Sequence, residues 1–113
     1  MRRAGALVVA SLLFVAPVRA EPSKPLAQSL KGEAKTLYLA GVSQYRNKEY
    51  AAALAQFEAS LRCSDDPYVR SLAFMASCSS QNSLKAKLYF KRLTPAQQTK
   101  FAQMCIRNGV EYQ

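Results

Sequence analysis

The chain has 113 residues, half of them apolar, with 16 Lys and Arg against 7 Asp and Glu, a formal net charge of +9, three Cys and no His. That is the length of one small domain, with too many apolar residues for a disordered chain. Without imidazole, the zinc sites and nucleophile relays that depend on it are excluded.

Met1-Arg2-Arg3 opens the chain with positive charge, Ala4–Ala16 is a run of apolar and small residues, and Val18-Arg19-Ala20 places small residues at the −3 and −1 positions before Glu21. This is the pattern of a secretory signal peptide, cleaved after Ala20. As a helix the apolar run would span roughly 20 Å, short of the roughly 30 Å hydrocarbon core, so no transmembrane span is expected once residues 1–20 are removed. The mature protein is expected to be exported, periplasmic or secreted. The leader takes Arg2, Arg3 and Arg19 with it, so part of the chain's basicity belongs to targeting.

Residues 21–33, with Pro22, Pro25, Ser23, Ser29 and Gly32, show no sustained periodicity and read as a flexible linker, at most loosely helical near its end. Regular pattern follows from Ala34. Ala34, Leu37, Tyr38, Gly41, Val42 and Tyr45 form one stripe at helical period, and after the polar break Asn47-Lys48-Glu49 the stripe resumes as Tyr50, Ala53, Leu54, Phe57 and Leu61. Asp65-Asp66-Pro67 combines an acidic cap with proline at the first helical position and starts a third helix. Its Val69, Leu72, Ala73 and Ala76 lie on one side and Ser71, Phe74, Met75 and Cys78 on the other, which predicts a helix sandwiched between neighbours. Ser83 is the expected cap of a fourth helix carrying Ala86, Tyr89, Phe90 and Leu93. Thr94-Pro95-Ala96-Gln97 has the form of a capping box, and Gly109 is placed to close the fifth helix in the left-handed conformation. Nothing alternates with period two. The expected fold class is all-α, in antiparallel helix pairs, because short connections force sequence neighbours to pack antiparallel.

Ala53 against Ala86 and Phe57 against Phe90 share one offset, 33 residues, which also pairs Gly41 with Phe74 and Tyr45 with Cys78. A helix-turn-helix unit of that period resembles the tetratricopeptide repeat. The order Leu37-x-x-Ala40-Gly41, Tyr50, Ala53-Leu54-x-x-Phe57, Pro67 is similar to that family's run of small and large positions. Leu37 stands where the family usually has Trp, the aromatic near Gln44-Tyr45 is displaced by one, and Pro67 comes late. The resemblance implies a short solenoid over 34–113, with repeat one at 34–66, repeat two at 67–93 and a capping helix at 94–109. It also implies close helix crossing at Gly41 and Ala53, and a concave groove lined by Tyr38, Val42, Tyr45 and Arg46 that receives a protein or peptide segment. The plainer alternative makes both tyrosines core residues.

In such a stack the third and fifth helices run parallel, which puts Cys78 and Cys105 at comparable heights and favours a Cys78–Cys105 disulfide. Cys63 would lie roughly 16 Å from Cys78 along the helix axis, beyond the ~5.5 Å Cα separation of a bridge. The alternative is three buried thiols acting as small apolar residues. Lys85, Lys87, Lys91, Arg92 and Lys100 make the second half basic, either as a solvated face or as a patch for an anionic envelope polymer. An exported chain with this modest charge density is not expected to bind nucleic acid. No catalytic constellation, metal site or cofactor motif is expected. The acids are scattered, and the serines have no histidine base.

Overall fold

A computed structural model describes residues 30–113, and these form five α-helices and no strand: α1 (Gly32–Arg46), α2 (Tyr50–Cys63), α3 (Pro67–Ser79), α4 (Ser83–Lys91) and α5 (Pro95–Asn108). The leader expected over 1–20 and most of the expected linker lie outside the described residues. Its final part is corrected: α1 begins at Gly32 rather than Ala34, and Leu30 ahead of it is buried in the core. Lys31 makes no side-chain cap at this start.

The other helix starts follow from local chemistry. The Asp66 carboxylate accepts from the Tyr68 and Val69 N–H groups at 2.8 and 3.1 Å, with Pro67 supplying a preset φ. In α4 the cap is Asn82, whose Oδ1 accepts from the Lys85 N–H at 3.0 Å, and not the expected Ser83. Thr94 and Gln97 close a reciprocal capping box at α5.

The helix ends carry a regularity that composition does not reveal. After α1, the Lys48 N–H donates to the Tyr45 carbonyl and Glu49 N–H to Gln44. After α3, Gln81 donates to Cys78 and Asn82 to Ser77. After α5, Gly109 donates to Ile106 and Val110 to Cys105. These are three Schellman closures, each with a residue at positive φ: Lys48 at 64°, Gln81 at 60° and Gly109 at 66°. Lys48 and Gln81 stand at the same 33-residue offset as the paired side chains.

Contacts between ends give the directions of the helices. Ser60 Oγ, late in α2, donates to the Ala34 carbonyl at the start of α1, so this pair is antiparallel. Tyr38, midway along α1, meets Tyr68 at the start of α3, while Tyr45 near the end of α1 meets Ser79 at the end of α3, so these two run the same way. Gln97 Nε2 donates to the Pro67 carbonyl and Gln81 Nε2 to the Asn108 carbonyl, which aligns α5 with α3. The Cys78–Cys105 disulfide, with Cα atoms 4.5 Å apart, ties these last two together.

The core runs through all five helices. Ala53, Phe57, Val69, Ala73, Phe74, Ala76, Cys78, Ala86 and Cys105 are essentially solvent-free. α3 packs against α2, α4 and α5, which accounts for its two apolar sides. Gly41 lies against the Phe57 ring so closely that an added Cβ would stand 2.5 Å from Phe57 Cε1. None of the described helices is long and apolar enough to cross a membrane.

Candidate functional site

The parallel arrangement of α1 and α3 leaves a furrow between them. Tyr38, Val42 and Tyr45 recur at four- and three-residue steps along α1 and share one face of it. Tyr68 and Leu72, one turn apart on α3, face them. Together with Arg46 and the Phe57 ring they surround an open depression of about 240 Å³. All four α1 residues singled out in the sequence border it. Their partners across the gap were not legible: Tyr68 and Leu72 occupy positions that the 33-residue offset matches with Lys35 and Leu39, which lie off the groove. Which residues of α3 oppose α1 is set by packing of both against α2. The one available signal was the four-residue spacing of Tyr68 and Leu72.

The aromatic walls are held in place by their own contacts. Tyr38 and Tyr68 meet edge-on with centroids 6.3 Å apart, and Tyr45 meets Tyr50 edge-on at 5.0 Å. The Tyr45 hydroxyl and Ser79 Oγ are hydrogen-bonded at 3.1 Å. The Tyr38 hydroxyl is pushed above the ordinary phenol range, first by burial, then by the neighbouring Tyr68 and the Asp66 carboxylate, with the Arg46 guanidinium opposing. Tyr38 thus sits between a negative and a positive field. Asp66 is committed to capping α3, whereas Arg46 is exposed and has no carboxylate partner among the described residues. The groove offers phenol rings, aliphatic groups, rim hydroxyls and one guanidinium.

The basic residues of the second half do not form one open patch. Lys85 Nζ donates to Glu58 Oε2 at 2.6 Å, Lys87 Nζ lies 3.3 Å from Glu111 Oε1, and Arg92 Nη2 donates to Asp65 Oδ1 at 2.8 Å. Arg92 also stacks over the Tyr89 ring, and Lys100 lies over Phe101. Lys91 is exposed without an acidic partner among the described residues. Glu58 is the centre of the polar contact between α2 and α4, because the same Oε2 accepts from the buried Tyr89 hydroxyl at 2.9 Å. Burial, and then that bond and charge, push the Tyr89 phenol strongly up.

Cys63, at the end of α2, is a free and exposed thiol, so the reading of all three cysteines as buried is corrected. Among the described residues no three Cys, Asp or Glu side chains converge as metal ligands would. No protein-family model matches this chain, and comparison with curated proteins and with solved structures finds no match.

Proposed function

We propose that this protein is a non-catalytic exported adaptor, a short tetratricopeptide-like stack capped by α5, that holds a protein or peptide segment in the furrow between α1 and α3. The carrying observation is the groove itself, where one stripe of α1 and the facing turn of α3 line an open, aromatic-rich depression. The stack reading draws on the common direction of α1, α3 and α5 and on turn closures repeated at 33 residues. The export reading draws on the leader pattern and on a paired disulfide, which suits an oxidising compartment. The second reading, attachment to an anionic envelope polymer through Lys85, Lys87, Lys91, Arg92 and Lys100, is weakened by the carboxylates already engaging three of them.

The test is a pull-down from an exported fraction at low and raised salt, with the protein and its Tyr68→Ala variant. Tyr68 borders the groove and is exposed, so its truncation is expected to leave the fold in place, which circular dichroism checks. A partner retained at raised salt by the parent protein and lost by the variant supports the groove. Complete elution by salt, equal for both proteins, supports the polymer and removes the adaptor reading.

A further inference from the structure

The groove's size and charge narrow what it takes. At about 240 Å³ the depression is smaller than the ~300–1,000 Å³ typical of small-molecule sites, and it is open to solvent, with walls from α1 and α3 and Phe57 of α2 among its lining. That volume suits one bulky side chain from a longer segment, the usual way a single buried anchor dominates a peptide contact. The anchor would rest on Phe57, between Val42 and Leu72, with the Tyr38 and Tyr68 rings beside it. The charged groups flanking it are asymmetric. Asp66 has its carboxylate directed at two backbone N–H groups of α3, whereas the exposed Arg46 guanidinium has no carboxylate partner among the described residues. By contrast, Arg70 and Arg92 are both drawn to Asp65, Lys85 to Glu58 and Lys87 to Glu111. A guanidinium is weakly hydrated and matches a carboxylate with paired donors, so it is well suited to a charge contact at an interface.

We infer that the segment seated here is an acidic and apolar linear motif: a bulky apolar side chain fills the cavity, and an acidic side chain close to it in sequence pairs with Arg46. This rests on the groove reading above and specifies its ligand. The probe is an array of acetylated, amidated decapeptides of random composition, so that no terminal charge contributes. It is screened against the exported form of the protein and against Arg46→Glu, Arg46→Gln and Tyr68→Ala, with circular dichroism checking each fold. Expected binders carry Asp or Glu within about three positions of Phe, Leu, Ile or Met, and exchanging that acid for its amide weakens binding about five- to tenfold. Arg46→Glu reverses the preference toward Lys and Arg, and Arg46→Gln abolishes it without reversal. Binders whose charge preference is the same in all Arg46 variants, yet which Tyr68→Ala weakens, overturn the carboxylate pairing and leave the groove intact. Absence of any bound decapeptide, or binding that ignores Tyr68→Ala, overturns the groove reading as well.

Discussion

The α1–α2 and α3–α4 pairs carry Ala53 and Ala86, and Phe57 and Phe90, at one offset of 33 residues, yet they pack in opposite ways. In the first, Gly41 lets the Phe57 ring lie directly on the α1 backbone, and Phe57 is 1% exposed. In the second, the position matching Gly41 is Phe74 and the position matching Phe57 is Phe90. The two rings meet at 5.7 Å between centroids, and Tyr112 from the tail completes a three-ring cluster, 4.9 Å from Phe90 and 6.3 Å from Phe74. With a ring at each matching position, the second pair meets through side chains and is joined to elements outside itself, to the tail through Tyr112 and to α5 through the Cys78–Cys105 disulfide. The first pair is closed by direct contact, the second by bracing.

The largest expected effects therefore fall on the braced half. Phe74 is fully buried among α3, α4 and the tail, and Phe74→Ala is expected to cost about 3–5 kcal/mol, measured by urea unfolding. Cys78 and Cys105 close a loop of sequence separation 27, and replacing both by Ser is expected to cost about 3–4 kcal/mol on the chain-entropy model. If the disulfide braces only the second half, hydrogen exchange in the double variant accelerates first in α4 and α5 and leaves the amides of α1 and α2 protected. Uniform acceleration would show that the two halves unfold as one unit.

On the first half the corresponding change is Gly41→Ala. Alanine favours helix by about 1 kcal/mol over glycine, yet its Cβ would sit 2.5 and 2.7 Å from two carbons of the Phe57 ring. With that ring enclosed, α1 and α2 must separate, and the net expectation is a loss of about 1–3 kcal/mol. A neutral or stabilising result would mean that the close crossing contributes less than the comparison requires.

Much of this architecture was legible because it is written in local chemistry. The Asp66 cap, the Thr94–Gln97 box and the Gly109 closure depend on residues a few positions apart, and each has the geometry those spacings dictate. The α1 start was not, because burial of Leu30 is a tertiary contact that overrides the Pro- and Ser-bearing run before it. The Asn82 cap lay one position before the expected Ser83, two residues able to do the same task. The α1 side of the depression was expected only through the tetratricopeptide resemblance, with Tyr38, Val42 and Tyr45 on one helical stripe, and its α3 side was not expected at all, since the axial shift between helices distant in sequence comes from packing. The basic patch failed to stand free for a similar reason: Glu58, Asp65 and Glu111 are remote in sequence from the lysines and arginine they engage.

The polar contact between α2 and α4 gives a prediction in pH. The Tyr89 phenol has a higher pKa folded than its ordinary value of 10.0, so its stabilisation is complete below pH 10 and declines as pH rises above it, where the unfolded chain loses the proton first. Melting temperature should fall above pH 10 more steeply in the parent protein than in Tyr89→Phe. Equal slopes would place the alkaline sensitivity elsewhere.

The smallest effect tests whether the two pairs share their turn as well as their side chains. Lys48 and Gln81 hold positive φ of 64° and 60° in matching Schellman closures, while Gly109 meets the same demand after α5 without a Cβ. A β-carbon in that conformation costs roughly 1–2 kcal/mol, and glycine returns about half of the gain through greater freedom when unfolded. Lys48→Gly and Gln81→Gly should each stabilise by about 0.5–1 kcal/mol in urea unfolding. Because the closures are the same, the two gains should be equal and additive, the sites being separate turns. A gain at Lys48 without one at Gln81 would show that the braced pair bears the turn strain differently, and that two closures of the same backbone shape differ in energy.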